Sequence, residues 1–192
     1  MNPISANFLN EKIKLPILVE QDLSLNLLTK EDAPRLFSLV KDNAPYLKEW
    51  LSWLDTVHSE QDSLNYINFS RQQFLNSEGA PFGIFYLGSL VGTCGYNSFN
   101  WNQKLTTIGY WLEEEYQGKG IMTKVCKALT DLAFHQLGME LVDIRMAPGN
   151  LKSKAIPIRL GFQYIATIKN AEWLYDHYVD HNVYRITKKQ WT

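Results

Sequence analysis

The stretch from Ile108 to Thr123 sets a strand, a glycine turn and the start of a helix side by side. Ile108-Gly-Tyr-Trp-Leu112 has the composition of a strand, Gln117-Gly-Lys-Gly120 contains two glycines, and apolar residues at helical spacing then continue to Leu137. At such a junction several backbone N–H groups point outward together, and the helix dipole adds to their attraction for an anion. The stretch therefore predicts a site for a phosphate group.

The glycine turn does not match either of two familiar phosphate motifs. A P-loop requires GxxxxGK followed by Ser or Thr, whereas Gly118-Lys119 is followed by Gly120 and has no glycine at the upstream position. A dinucleotide fingerprint needs a third glycine where this chain has Thr123. A plain turn between strand and helix stays open as the alternative.

Length and composition predict a single globular domain spanning residues 1–192, with 45% apolar and 20% charged residues. The formal net charge of −1 gives no long-range field for a polyanion, so we expect no nucleic-acid and no membrane partner. The chain contains no run of about 18 apolar residues and no secretory signal. These features predict a cytoplasmic protein.

The cysteines and histidines do not predict a metal centre. Cys94 and Cys126 lie far apart in sequence, and none of the four histidines has ligand spacing to either of them. His177 and His181 could share a helix face, but their segment has the pattern of a strand and a turn. We therefore expect no metal and reduced thiols.

The apolar periodicity predicts an α+β fold with a mixed, mostly antiparallel sheet. Helices are expected at about 29–42, 46–55, 62–76, 121–137 and 150–160, and strands within 13–28 and at 82–86, 90–99, 105–112, 141–146, 162–168 and 175–186. These assignments amount to about seven strands and about five helices. Strand, helix and strand between residues 105 and 147 require one parallel pair joined by a crossover.

Gln117-x-x-Gly120-x-Met122 resembles the acyl-CoA signature Q/R-x-x-G-x-G/A of the GNAT superfamily of N-acetyltransferases. The form is that of the RimJ/RimL-like ribosomal-protein acetyltransferase branch, although Met122 stands where the general signature has a small residue. Asn150-x-x-Ser153 and Leu160-Gly-Phe162 follow at the spacing of the family, and Trp50-Leu-x-Trp-Leu-Asp55 is typical of the branch. The resemblance covers residues 22–188.

The resemblance implies the GNAT fold, with a central parallel pair of strands that splay apart, and acetyl-CoA as co-substrate. It implies that the backbone of Trp111 and Leu112, on the fourth predicted strand, pairs with the pantetheine arm. Asn150 is implied to contact the CoA arm, with a plain helix cap as the alternative. The residues implied to hold the pyrophosphate form the turn and the first helical turn: Gln117, Gly118, Lys119, Gly120, Ile121, Met122 and Thr123.

The tyrosine that many family members use as general acid is missing from this chain. Counting back from Gly161-Phe162, its position holds Pro157, which has no proton to donate and removes one helical hydrogen bond. We therefore name Ser153 as the candidate acid that protonates the departing thiolate. A serine that only bonds the start of its own helix is the alternative.

Glu172 resembles the glutamate that this branch presents to the acceptor amine, and we name it as the candidate base. The attacking amine must be neutral, so a base or a water relay has to take its proton. A solvated carboxylate at the end of a strand is the alternative. Trp53 is predicted to form a wall of the acceptor groove, whereas Trp50 belongs to an apolar stripe and is predicted to lie in the core.

The leading functional hypothesis is an acetyl-CoA-dependent N-acetyltransferase that acts by direct transfer on the N-terminal α-amine of a protein, of the ribosomal-protein type. A second hypothesis keeps the chemistry and changes the acceptor to a small amine, such as a polyamine, an amino acid or an antibiotic. A third is an acyl-CoA-binding sensor without catalysis, because Pro157 replaces the acid. The expected partners are acetyl-CoA and a primary amine, and the sequence leaves a homodimer open.

Overall fold

A mixed eight-stranded sheet runs through residues 7–191, the part of the chain that the computed structural model describes. The strands are β1 (Ile17–Glu20), β2 (Leu23–Asn26), β3 (Ala80–Tyr86), β4 (Ser89–Asn100), β5 (Leu105–Leu112), β6 (Leu141–Met146), β7 (Gln163–Leu174) and β8 (His177–Thr187). Their order across the sheet is β1-β2-β3-β4-β5-β6-β8-β7. Only β5 and β6 pair in parallel within the described residues.

Five α-helices cover the two faces of the sheet. They are α1 (Phe8–Lys12), α2 (Ala33–Leu47), α3 (Glu60–Leu75), α4 (Ile121–His135) and α5 (Leu151–Arg159). Short 3-10 turns occupy Lys30–Asp32, Ser52–Thr56 and Glu114–Tyr116. A capping box starts α3, because the Ser59 N–H and the Ser59 hydroxyl both donate to the Asp62 carboxylate, at 2.9 and 2.8 Å. No helix among the described residues is long and apolar enough to cross a membrane.

The helices form two layers, one on each side of the sheet. Leu36 and Leu39 of α2 and Ile67 of α3 belong to one buried apolar cluster. Val125 and Leu129 of α4 belong to a second, larger cluster that contains the β6 side chains facing them. Because burial of this apolar surface is the main stabilising term, the sheet is held between the two layers.

The parallel strands β5 and β6 diverge after a short paired stretch. Their register runs from Leu105 opposite Leu141 to Ile108 opposite Ile144, and no pairing continues beyond that point. β6 then remains paired with β8, while β5 remains paired with β4. Between residues 109 and 112 the edge of β5 that faces β6 therefore has no strand beside it. The expected splay of the parallel pair is confirmed.

The α+β class, the mixed sheet and the parallel crossover are also confirmed, but the strand count differs. The first predicted strand is in fact a hairpin, in which β1 turns at Gln21-Asp22 and pairs antiparallel with β2. The alternating residues of β2 had dominated the pattern, whereas β1 is too short to give a signal of its own. The fourth predicted strand is therefore β5 in the structure.

The predicted helix at about 46–55 is wrong. α2 continues to Leu47 and the chain then turns into the 3-10 segment Ser52–Thr56. Leu47, Leu51 and Leu54 are three to four residues apart, which imitates a helix, but the Lys48–Asp55 ion pair and contacts with β7 hold this segment in a turn. The short helix α1 was not predicted at all.

Candidate active site

The glycine turn presents a row of backbone donors. Gly118 and Gly120 have φ angles of 75° and 76°, and a Cβ at either position would meet nothing within 4 Å. The first helical bond of α4 runs from the Lys124 N–H to the Gly120 carbonyl oxygen, at 3.2 Å. Among the described residues, no acceptor takes the N–H groups of residues 118–123. This arrangement fits an anionic group such as a pyrophosphate.

Three cations surround the turn with uncharged partners. The Lys119 ammonium lies 4.8 Å from the centre of the Tyr116 ring. The Lys152 ammonium donates to Gln117 at 2.8 Å, and Arg159 donates to the Thr123 hydroxyl at 2.8 Å. Because none of these three cations has a carboxylate of residues 7–191 within 4.0 Å, the rim of the turn keeps its positive charge.

The large side chain of Met122 does not disturb this turn. Ile121 and Met122 are buried in the core beneath the sheet, so the two residues offer only their N–H groups to a ligand. The larger side chain of Met122, in place of the small residue of the general signature, therefore packs into the core and leaves the ligand-facing side of the turn unchanged.

The open edge of β5 leads away from the turn. The Glu113 N–H donates to the Val91 carbonyl oxygen of β4. The Trp111 carbonyl oxygen would lie 2.4 Å from a Cβ built at Gly92 of β4. The Glu113 N–H and the Trp111 carbonyl therefore both point toward β4. Since neighbouring residues in a strand direct their backbone groups to opposite edges, Tyr110 and Leu112 direct theirs into the gap. A pantetheine arm in the gap would thus meet the backbone of Leu112, while Trp111 faces away with its backbone.

The Tyr46 hydroxyl of α2 closes the outer end of this edge. It donates to the Leu112 carbonyl oxygen, and burial raises the pKa of Tyr46 to about 12, opposed by a hydrogen bond with the Gln117 side chain. Tyr46 therefore stays protonated and connects α2 to the gap and to the glycine turn.

The start of α5 holds Ser153 beside Tyr110. Asn150 caps the helix by accepting the Ser153 N–H at 3.0 Å. The Ser153 hydroxyl donates to the Tyr110 hydroxyl at 3.2 Å, and the Tyr110 hydroxyl donates to the Ser153 carbonyl oxygen at 3.1 Å. That carbonyl would normally bond the N–H four residues later, which is absent in Pro157. The tyrosine thus supplies the hydrogen bond that the proline cannot make.

A cavity of about 720 Å³ lies where the two strands diverge. Its walls include Trp50, Trp53 and Trp111, and the rings of Trp53 and Trp111 have centres 6.3 Å apart. Asn150, Ser153 and Tyr110 line the cavity from the side of α5. Trp53 is 36% exposed. Trp50 is only half-buried and belongs to neither buried cluster, so its predicted place in the core is wrong, and it lines the cavity instead.

Glu172 of β7 also lines the cavity and is held by two hydrogen bonds. Its carboxylate accepts the Ser52 hydroxyl at 2.6 Å and lies 3.1 Å from the His181 ring nitrogen Nε2. The hydrogen bond with His181 is the main reason that the pKa of Glu172 is lowered from 4.5, with Ser52 adding to it and partial burial opposing it. The carboxylate is therefore ionised near neutral pH.

Ser52 and its neighbours form a roof that is fastened to the β7–β8 hairpin. Besides the bond from Ser52 to Glu172, the Tyr175 hydroxyl donates to the Leu51 carbonyl oxygen at 2.6 Å. The roof places Trp50 and Trp53 above the acceptor side of the cavity. No group of three or more His, Cys, Asp or Glu side chains in residues 7–191 is arranged to hold a metal ion.

The candidate residues fall into two places joined by the gap. Ser153, Glu172, Trp53, Trp111 and Asn150 line the cavity. Leu112 lies at the gap, and the seven residues from Gln117 to Thr123 form the turn beyond it, outside the cavity lining.

Sequence reasoning missed Tyr110 and His181. Alternation along β5 places Tyr110 on the opposite face from Trp111, which was a usable signal for a contact with α5. In the sequence, the spacing of His181 from His177 suggests at most a shared metal site. Its contact with Glu172 depends on an irregular register between β7 and β8, which no local pattern shows.

Comparison with known proteins identifies the family. The family model described as an acetyltransferase (GNAT) domain matches residues 22–163, which is more than half of the chain. YdaF of Bacillus subtilis, which has a provisional name as a ribosomal N-acetyltransferase, is 32% identical over 176 residues, covering 90% of this chain and 95% of YdaF.

Two further relatives agree with this match. The ribosomal-protein-serine acetyltransferase of Escherichia coli is 29% identical over 168 residues, covering 88% of this chain and 94% of that protein. A solved structure of RimL, a ribosomal L7/L12 alpha-N-protein acetyltransferase in complex with coenzyme A, superposes with a TM-score of 0.86 at 27% identity and covers 90% of this chain and 97% of RimL. The fold, the glycine turn and these matches lead to one conclusion: the chain belongs to the GNAT family and is an N-acetyltransferase.

Proposed function

We propose that the protein transfers the acetyl group of acetyl-CoA directly to the N-terminal α-amine of a protein, with an acceptor of the ribosomal-protein type. The observation that carries this proposal is an ionised carboxylate, Glu172, in a tryptophan-lined cavity at the point where β5 and β6 diverge. The names of the E. coli and RimL relatives add support for a ribosomal-protein acceptor.

The donor fits the glycine turn and the gap beyond it. The N–H groups of residues 118–123 and the cations of Lys119, Lys152 and Arg159 match the charge of the CoA phosphates. The edge of β5 at residues 109–112 matches an amide-bearing arm, which would pair with Leu112 as an added strand does. The acetyl end of the arm would then reach the cavity next to Ser153.

Direct transfer is favoured because neither cysteine suits a covalent intermediate. Cys94 lines the cavity but is buried, and burial raises the pKa of its thiol. Cys126, on the inward face of α4, is fully buried, and burial likewise raises the pKa of its thiol. A thiol that stays protonated is a poor nucleophile, so the amine itself attacks the thioester carbonyl carbon.

Glu172 and His181 form the base side of the reaction. The ionised Glu172 attracts the acceptor as an ammonium ion, but its lowered pKa makes it a weak base for an α-amine, whose pKa is about 8. His181 is hydrogen-bonded to it through Nε2, and the second ring nitrogen gives the pair a path along which a proton can pass. We therefore assign orientation of the amine to Glu172 and passage of its proton to the Glu172–His181 pair.

Ser153 forms the acid side. As the carbon–sulfur bond breaks, the electron pair goes to the sulfur, and a hydroxyl beside it can donate a proton. The Ser153 hydroxyl donates to Tyr110 in the structure, so it would have to rotate to give its proton to the sulfur, and its oxygen would then regain, through water, a proton that the attacking amine releases. The N–H groups on the open edge of β5 are the available donors for the carbonyl oxygen that gains charge.

A direct assay tests the acceptor class. We would incubate the protein with acetyl-CoA and two peptides of one sequence, one with a free N-terminus and an acetylated lysine side chain, the other with a blocked N-terminus and a free lysine. CoA release and a mass increase are expected only with the first peptide. Acetylation of the second peptide instead would overturn the proposal, and so would CoA release only with small amines.

A further inference from the structure

We infer that Arg145 makes the acceptor cavity selective for peptides with an acidic side chain at the second or third residue. This inference rests on the proposed function and extends it from an N-terminal amine to a class of N-terminal sequence.

Arg145 lies at the fork of the diverging strands. It follows Ile144, the last residue of β6 that pairs with β5, and it is paired with Val183 of β8. Ile144 and Met146 are buried on the side of α4, so Arg145 faces the opposite side of the sheet, as Asp143 does. There it lines the same cavity as Trp53 and Glu172, with 38% of its side chain exposed.

The nearby carboxylate of Asp143 is already neutralised by another arginine. Asp143 is fully buried and accepts two hydrogen bonds from Arg185, at 2.6 Å from Nε and 2.9 Å from Nη2. Such a two-pronged pair is the favoured geometry between a guanidinium and a carboxylate. Arg145 reaches the same carboxylate only at 3.4 Å, through one nitrogen. Two arginines thus share one negative charge, and the surplus positive charge lies on Arg145.

No other group within residues 7–191 offsets this charge. Asp143 is the only carboxylate there within 4.0 Å of the Arg145 guanidinium. Asp62, which also lines the cavity, uses its carboxylate to cap α3. Glu172 is bonded to Ser52 and His181. Because the Arg145 side chain is partly buried, its guanidinium is only partly hydrated, which strengthens its attraction for an anionic ligand.

The cavity therefore carries a negatively charged side chain, Glu172, and a positively charged side chain, Arg145. Arg145 and Glu172 pair with Val183 and Val179 of β8, so their backbones are two strands apart across the sheet and four residues apart along it, about 16 Å in all, of which their own long side chains can cover a part. An extended peptide advances about 3.3 Å per residue, which allows an α-amine at Glu172 and an acidic side chain one or two residues later at Arg145. A free amino acid has both charges on one carbon and cannot span this distance, and a polyamine would bring a second cation to Arg145.

The test compares acceptor peptides that differ in one charge. Initial rates are measured for serine-starting peptides with Glu, Gln or Lys at the second or third residue, using the protein, Arg145→Gln and Arg145→Glu. Lys41→Glu is the matched control, since it also reverses one charge but lies on the exposed face of α2 outside the cavity. We expect kcat/KM of the protein to favour Glu over Gln by about tenfold at one of the two positions. Arg145→Gln should remove that preference, Arg145→Glu should favour Lys, and Lys41→Glu should leave the order unchanged.

Equal kcat/KM for the Glu and Gln peptides at both positions would overturn the inference, and so would a preference that survives in Arg145→Gln. Peptide binding, followed by tryptophan fluorescence, separates this failure from failure of the proposed function. If no peptide is acetylated but the Glu peptide binds more tightly only when Arg145 is present, the proposed function fails and the anion site stands. If an Arg145 variant does not fold, the kcat/KM values of the unaltered protein decide. They should decrease from the Glu to the Gln to the Lys peptide, and equal values would overturn the inference.

Discussion

At the scale of single residues, the proposed proton donor and the proposed amine-orienting carboxylate line one cavity and are held by different neighbours. Ser153 is held at the first turn of α5 by its neighbours Asn150 and Tyr110. Glu172 is held on β7 by Ser52 and His181. Their separate supports mean that substitution of one should leave the other in place, so their roles can be tested one at a time.

Ser153→Ala should reduce kcat by about a hundredfold and leave the affinity for CoA nearly unchanged, because the hydroxyl acts on the departing thiolate and the glycine turn binds the phosphates. Steady-state kinetics and calorimetric titration with CoA would measure the two effects. Ser38→Ala, on α2 and outside the cavity lining, is the control and should behave like the unaltered protein. An unchanged kcat in Ser153→Ala would remove Ser153 from the mechanism.

Glu172→Gln should lower the maximal rate but should not change the pH below which the rate declines. The pKa of Glu172 in the folded protein lies below 4.5, so its side chain is ionised at any higher pH. It is protonated, and loses its negative charge, only when the pH falls through the lowered pKa. When the pH is lowered below about 8, the rate should decline because the acceptor amine becomes protonated and can no longer attack. pH–rate profiles of kcat/KM for both proteins test this. A shift or loss of that limb in Glu172→Gln would show that the carboxylate itself titrates there.

At the scale of secondary-structure elements, the glycine turn and α5 depend on backbone features that can be changed without touching side-chain chemistry. Gly118 and Gly120 adopt positive φ angles, and Pro157 leaves one carbonyl of α5 to Tyr110. Both features were visible in the sequence as glycine and proline positions. Their partners were not, because those contacts join residues far apart in the chain.

Gly120→Val should abolish the protection that CoA gives against thermal unfolding. A β-branched residue is strained at a φ of 76°, at a cost of about 1–2 kcal/mol, and the turn would lose the alignment of its N–H groups. Gly138→Val is the matched control, because Gly138 has a φ of 69° and equally open surroundings at the other end of α4. It should lower Tm to a similar degree while CoA still raises it. Retained protection in Gly120→Val would exclude the turn as the phosphate site.

Tyr110→Phe and Pro157→Ala should be coupled in their effects on stability. Tyr110→Phe leaves the Ser153 carbonyl oxygen without its donor and should lower the free energy of unfolding by about 1 kcal/mol. In Pro157→Ala the helix regains an N–H for that carbonyl, so the same substitution should cost less. Denaturant unfolding of the single and double variants measures the coupling. Additive effects would mean that the tyrosine does not replace the missing helical bond.

At the scale of the whole molecule, local patterns predicted most elements and long-range contacts determined the rest. The strand Leu141–Met146 has the predicted bounds, and α4 begins where the glycine turn predicted it. The roof at residues 48–56 is held by hydrogen bonds to Glu172 and Tyr175, which lie more than a hundred residues along the chain, and β2 is fixed in the sheet by its pairing with β3. Periodicity within one segment has no access to such contacts.

The candidate site shows the same division. The phosphate turn follows from contiguous residues, so the sequence located it well. The cavity is assembled from α2, α3, α5, the roof and six strands, and its charges at Glu172 and Arg145 come from separate strands. Their relation was therefore visible only in the folded chain.

The most direct test of the central claim is a mass-spectrometric survey of protein N-termini in cells with and without this protein. We expect one or a few protein N-termini, above all those of ribosomal proteins, to lose acetylation when the protein is absent. They should regain it with the unaltered gene but not with Glu172→Gln. N-terminal acetylation that is identical in all these cells, together with a change in an acetylated small amine, would contradict the account.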